Sequence, residues 1–153
     1  MKKKILILGG GLSKERKISL NTAKQVKKIL KKKYKVFQCD FDKNFINNVK
    51  IFRPDIIFNA LHGRFGEDGY VQSILESLKI KYTHSGVLSS ALAMDKVTSK
   101  EIFKKNKILT PKYLKYNNHD SHKKNIKKKI EKQLKFPVVI KPINEGSSVD
   151  VFI

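Results

Sequence analysis

The sequence predicts an α/β fold built on a parallel sheet, and three observations carry the prediction. Ile5-Leu6-Ile7-Leu8 is a continuous apolar run broken by Gly9-Gly10-Gly11 and followed by residues with helical spacing. Ile56-Ile57-Phe58 repeats that order, running into a stretch with three glycines and then into a second helical pattern. Between them lies a further strand-like run, Tyr34–Cys39. Strand, turn, helix and strand in alternation build parallel sheets, whose inner strands read as unbroken apolar runs because both faces are covered.

The first run reads as a strand buried on both sides. After its glycines, Ser13 is placed to cap a helix, with Glu15 and Arg16 in or just before the first turn. Ser19, Thr22, Ala23, Val26, Ile29 and Leu30 form the apolar stripe of that helix, and lysines fill its other face. The consecutive glycines follow neither G-x-G-x-x-G nor Walker spacing, so no mononucleotide fingerprint is present. Lys43–Phe52 is a short, weakly patterned helix, and Pro54-Asp55 marks a turn. Val71, Ile74, Leu75 and Leu78 give a clear amphipathic helix. Lys81–Thr83 reads as a short strand, and Ser85-Gly86 as a turn whose serine caps a helix over Val87–Met94.

From there the pattern changes to α+β, which divides the chain into residues 1–90 and 91–153. The second part reads as a helix over Thr98–Asn106, a strand over Lys112–Tyr116, a polar loop over Asn117–Ser121, a lysine-rich helix and a strand at Pro137–Ile140. Val151–Ile153 begins a strand that the last residue interrupts. Beyond the Thr98–Asn106 helix, one helix and fewer than three complete strands bury little core, so this second unit is expected to be incomplete.

Net charge is +21, with only Arg16, Arg53 and Arg64 among 34 basic residues. The lysines crowd into helix-like stretches poor in aromatics, and Ile and Asn are enriched along with them. A solvated lysine face accounts for this, and no nucleic-acid partner is expected. No apolar run approaches membrane-span length, so no membrane association is expected, and a cytoplasmic location follows as the default. The lone cysteine, Cys39, reads as a small buried hydrophobe.

Polar clusters follow three apolar runs: Gly9–Arg16, His62–Gly69 and Lys141–Ser148. Open α/β sheets bind ligands at such strand ends. Glu15 either complements a helix dipole or binds a substrate ammonium. His62 is a general acid/base, a polar anchor or a satisfied buried histidine. Lys141 is an edge-strand gatekeeper or a point charge for phosphate, with Glu145, Gly146, Ser147 and Ser148 supplying N–H groups and hydroxyls. No His/Cys/Asp/Glu pattern has metal-ligand spacing.

Five stretches together resemble the N-terminal half of the D-alanine–D-alanine ligases, ATP-grasp enzymes of peptidoglycan synthesis. They are Gly9–Leu20, Ala60–Gly69, Tyr82–Lys96, Pro137–Pro142 and Glu145–Val149, in the family's order. The resemblance implies a pre-ATP-grasp, Rossmann-like first domain followed by the start of an α+β ATP-grasp domain. It implies ATP-dependent ligation: one D-alanine is activated as an acyl phosphate and the amine of a second attacks it. Glu15 matches the acid that binds the first ammonium, Ser147 the serine that orients it, and His62 a histidine beside the first carboxylate. Lys96 and Lys141 match ATP-contacting lysines, and Glu145–Val149 the loop over the phosphates. Magnesium ligands are expected beyond residue 153, none within it, and a homodimer is implied for the whole enzyme. The 153 residues alone are expected to be inactive. The readings that compete are a ligase for D-lactate or D-serine, a non-catalytic gene product, and a nucleic-acid module. Two positions depart from the family: His84 and Asp150 stand where glycine is usual.

Overall fold

The computed structural model describes residues 2–117 and 126–153. Three strands, β1 (Lys4–Gly9), β2 (Lys35–Asp40) and β3 (Ile56–Asn59), form one parallel sheet in the order β2-β1-β3. Ile5 pairs with Val36 on one side and Ile56 on the other, and Leu8 with Cys39 and Asn59. The central strand is β1, and this is why its apolar run is unbroken. Leu6 and Leu8 face one core with Phe45, Val49, Ile57, Val71 and Leu75. Ile5 and Ile7 face the other core with Ala23 and Ala60. Period-two alternation along one strand thus feeds two cores, one on each side of the sheet.

Helix α1 (Arg16–Leu30) covers the second core, and α2 (Phe45–Phe52) and α3 (Tyr70–Ser77) cover the first. Ser19 and Ala23 carry the buried stripe of α1, whereas Ile29 of the expected stripe is 66% exposed. The strand Gly9 packs so tightly on α1 that a β-carbon there would lie 2.6 Å from that of Ala23. Val71 and Leu75 are buried on α3, as its spacing predicts.

Two expected caps are absent. Ser13 is not the N-cap of α1, a position Glu15 holds without a side-chain cap; the Ser13 hydroxyl accepts from the Glu15 N–H at 3.2 Å just before the helix and donates to the His62 carbonyl at 2.7 Å. Ser85 does not cap α4 (Val87–Met94), whose N-cap is Gly86; the Ser85 carbonyl accepts from the Ser90 hydroxyl instead. Helix α5 (Lys96–Lys105) starts two residues earlier than expected because the Asp95 carboxylate accepts from the Thr98 N–H at 2.7 Å.

The later strands are thinner than the sequence suggests. Residues 81–83 contribute one parallel bridge, Ile57 to Tyr82. Residues 137–140 and 151–153 meet at one antiparallel bridge, Ile140 to Phe152. Residues 112–116 form no strand. A strand needs a partner for its backbone groups, and this segment is tethered by side chains: the Tyr113 hydroxyl bonds Glu101, and Lys100 and Lys104 sit over its ring. Helix α6 (Ile126–Gln133) realises the described part of the lysine-rich helix. The expected loop lies outside the described residues beyond Asn117.

Candidate functional site

The chain crosses from β2 on one side of β1 to β3 on the other, so the loops after β1 and β3 diverge around a crevice at the carboxyl ends of the strands. Doubly wound sheets place ligands in such a crevice. Ser19 ties the two loops together, accepting from the Gly10 N–H at 2.8 Å and donating to the Ala60 carbonyl at 2.7 Å. Asp40, at the end of β2, accepts from the Gly11 N–H at 2.8 Å and pairs with Arg16, which also donates to the Gly11 carbonyl. Burial works to raise the Asp40 pKa, but the Arg16 hydrogen bond and charge, together with the backbone donors, outweigh it and hold it below its ordinary value. Gly10 and Gly11 adopt φ of +88° and +82°, the left-handed region in which side chains are strained.

The loop after β3 is fixed from beneath by two buried amides. Asn59 Nδ2 and Gln72 Nε2 both donate to the Gly66 carbonyl, and Asn59 Oδ1 accepts from the Leu61 N–H. Asp68 accepts from the N–H groups of Phe65 and Tyr70, closing the turn into α3. These bonds aim His62 and Glu67 back toward α1. His62 Nε2 lies 3.0 Å from the Thr22 hydroxyl, and Glu67 accepts from the Gly63 N–H at 2.7 Å.

Glu15 stands at the centre of this arrangement. It is 3% exposed, and its Oε2 accepts from the Ser147 hydroxyl at 2.7 Å. Its Oε1 has no hydrogen-bond partner among the described residues. The carboxylate fits only because two glycines face it: β-carbons at Gly63 and Gly146 would lie 3.0 and 2.9 Å from Oε1. A buried charged oxygen without a donor is costly, roughly several kcal/mol in an apolar setting, and calls for a cationic or hydrogen-bonding ligand.

Beside it lies a cavity of roughly 210 Å³, lined among others by Lys96, Lys141, Glu145, Gly146, Ser147 and Ser148. Lys96 Nζ donates to the carbonyls of Ile143, at 3.1 Å, and Glu145. Burial, and next the charge of Lys141, lower the Lys96 pKa; the acids Glu145, Asp95 and Glu15 oppose this without reversing it. Two cations held this close favour an anion between them. Ser147, Ser148 and Asp150 have φ of +45°, +63° and +52°, a left-handed backbone that turns the loop whose Ser147 and Ser148 line the cavity.

All the residues singled out in sequence as binding or catalytic thus come together: Glu15, His62 and Ser147 in one cluster, and Lys96, Lys141, Glu145, Gly146 and Ser148 around the adjoining cavity. Both departures at usual glycine positions fall at positive φ, +83° for His84 and +52° for Asp150. The Asp150 carboxylate turns to Lys14 at 2.7 Å on the exposed surface. Sequence reasoning missed Asp40 and Glu67. Asp40 ends a strand with no motif around it, and Glu67 reads as one of two acids in a turn.

Comparison with known proteins agrees with this arrangement. The family model described as D-ala D-ala ligase N-terminus matches residues 45–85, and that described as D-ala D-ala ligase C-terminus matches residues 102–153, together more than half of the chain. A protein of Pelagibacter ubique named D-alanine–D-alanine ligase is 66% identical over all of this chain and half of its own length. One of Carboxydothermus hydrogenoformans with the same name is 42% identical over 97% of the chain and 48% of its own. A crystal structure of D-alanine–D-alanine ligase from Bacillus anthracis complexed with ATP superposes with a TM-score of 0.80 at 33% identity, over 99% of this chain and 48% of that one. The chain spans about half the length of the curated relatives it matches. On the family models and these relatives, the chain belongs to the D-alanine–D-alanine ligase family, matching its N-terminal half.

Proposed function

We propose that this chain supplies the first-substrate wall and the beginning of the nucleotide clamp of an ATP-dependent D-alanine–D-alanine ligase, acting in peptidoglycan precursor synthesis in the cytoplasm. The observation that carries the proposal is the buried Glu15 carboxylate, with one oxygen held by Ser147 and the other unpartnered. An α-ammonium is the ligand that answers it: a cation with three N–H donors, small enough to sit between Gly63 and Gly146. Ser147 is a positioning residue, fixing the rotamer of Glu15 before substrate arrives. His62, steadied by Thr22, stands on the far side of the same space and takes the carboxylate end of the amino acid. On this reading residues 1–90 form the substrate unit and 91–153 open the clamp.

The residues around the cavity fit a nucleotide's phosphates. Lys96 and Lys141 would neutralise them, and Gly146 and Ser148 would donate from the loop. ATP supplies a phosphoryl group that turns a carboxylate into a leaving-group-bearing acyl centre. This chain's residues hold the amino acid still and keep charge balanced, which is most of what phosphoryl transfer asks of a protein. Glu145 is the sole acid lining the cavity among the described residues, and magnesium is expected to take its further carboxylate ligands from beyond residue 153.

The reading is tested by equilibrium binding of D-alanine to the purified chain and to its Glu15→Gln variant. Glu15→Gln is expected to weaken binding at least tenfold with an unchanged circular dichroism spectrum. Equal affinity in the two proteins would remove Glu15 from the substrate site.

A further inference from the structure

Glu15, His62 and Glu67 each bring one ligand atom to a common point, with all three atoms within 4.8 Å of one another. Two of them are carboxylates, and no salt bridge among the described residues involves either. The buried Glu15 adds a second observation, since its Oε1 has no partner among the described residues and faces Gly63, the residue next to His62. Like charges gathered in a part-buried pocket repel unless a cation joins them. We propose that Glu15, His62 and Glu67 form a site for a divalent transition-metal ion of the Zn²⁺ class, which competes there with the substrate ammonium. The competition rests on the function proposed above, whereas the metal site stands on its own geometry.

The donor set suits such an ion. Imidazole with carboxylates binds zinc and its neighbours, whereas magnesium and calcium ask for oxygen alone. Zinc bonds of about 2.0–2.1 Å put tetrahedral ligands about 3.3 Å apart. The three atoms therefore close in by at most about 1.5 Å, taking that zinc spacing as the end point. Glu67 is exposed, so its carboxylate can turn toward the other two about the oxygen that Gly63 holds. One of its oxygens accepts from the Gly63 N–H, which anchors the side chain while the other stays available. His62 has an outer partner in the Thr22 hydroxyl, where metal-bound imidazoles more often have a carboxylate or a carbonyl. When its Nε2 donates to the Thr22 hydroxyl, Nδ1 carries the lone pair. Three protein ligands leave a fourth position open to water.

The test titrates the purified chain with Zn²⁺ alone against a chromophoric chelator near pH 7, in parallel with Glu67→Gln and His62→Ala. The sequence holds three further histidines, His84, His119 and His122, so comparison with the variants decides the matter. One zinc per chain is expected, weakened at least tenfold in each variant, with the metal-free melting temperatures unchanged within a few degrees. Absence of binding, or equal affinity in wild type and variants (an adventitious ion only), overturns the proposal. In a second arm D-alanine is compared with the same concentration of L-alanine, which chelates free zinc equally, and D-alanine alone is expected to raise the apparent zinc dissociation constant beyond that chelation, in proportion to its occupancy. Variant-sensitive zinc binding that D-alanine weakens no more than L-alanine does keeps the metal site and removes the ammonium from Glu15. Glu15-dependent D-alanine binding without any zinc binding does the reverse.

Discussion

The Ser147 hydroxyl donates to Glu15 Oε2 at 2.7 Å, across 132 positions of sequence. One residue sits at the start of the first helix and the other in the loop beyond the last one. This bond joins the amino-acid wall to the cavity with the two lysines, so that ligands in the two places lie against shared residues. Ser147→Ala leaves the buried carboxylate with neither oxygen bonded by protein and free to turn. A hydrogen bond to a charged group contributes about 1.5–3 kcal/mol. D-alanine affinity is expected to fall about tenfold or more. The fold is expected to persist, because Ser147 is itself exposed. Unchanged D-alanine affinity in the variant would deny Ser147 its positioning role.

Asp40 is expected to stabilise the glycine loop that leads to Glu15. Its folded pKa lies below the ordinary value, so its contribution is present above the unfolded aspartate pKa near 4 and is lost as pH falls through the folded one. Asp40→Asn keeps an acceptor for the Gly11 N–H but loses the Arg16 ion pair. With Arg16 half exposed, the loss at pH 7 is about 1 kcal/mol. Urea unfolding of both proteins at pH 7 and pH 3 checks this. The difference between them should shrink at pH 3, and a constant difference would contradict the assignment.

Lys96 sets a pH dependence on nucleotide binding. Its pKa is lowered, by burial first and by Lys141 next, so it loses its proton at lower pH than an ordinary lysine. The protonated form binds phosphate. ATP affinity is therefore expected to decline as pH rises toward 10, beginning before ordinary lysines titrate, with proton uptake on binding in that range. Calorimetry in buffers of different ionisation enthalpy measures the uptake. Lys96→Arg, which stays charged, should flatten the decline.

Cys39 is 8% exposed in the first core, and burial, helped by the nearby Asp42 and Asp40 charges, pushes its thiol pKa up to about 12. At pH 8 on the order of one thiol in 10⁴ is then ionised. The native chain is expected to react with a thiol reagent at least a hundredfold more slowly than the urea-unfolded chain. Equal rates would mean that β2 does not bury this residue.

The β1–α1–β2 unit was legible because its signals are local and redundant: an apolar run, glycines at positive φ, then a helical stripe. The strands after residue 80 were not. Residues 81–83, 112–116 and 137–140 have strand-like composition, but pairing depends on what lies beside them, and composition does not record a neighbour. Ser13 and Ser85 show the same limit at the scale of one side chain. Each is a good capping residue by type, yet a longer-range hydrogen bond or another residue took the role. In the site, Glu15, His62 and Ser147 were found through the motifs around them. Glu67 and Asp40 were missed because their importance lies in distances across 52 and 24 positions, from Glu67 back to Glu15 and from Asp40 to Arg16.

The central claim is that the unpartnered oxygen of Glu15 receives the ammonium of D-alanine. The most direct measurement is the ¹³C resonance of the Glu15 side-chain carboxylate in the labelled chain, titrated with D-alanine and separately with propanoate. Propanoate keeps the carbon chain and the carboxylate but lacks the ammonium. The account predicts a saturable shift of this resonance with D-alanine and none with propanoate at the same concentration. An equal shift with both, or a saturable response to D-alanine elsewhere in the chain with Glu15 unmoved, would contradict it.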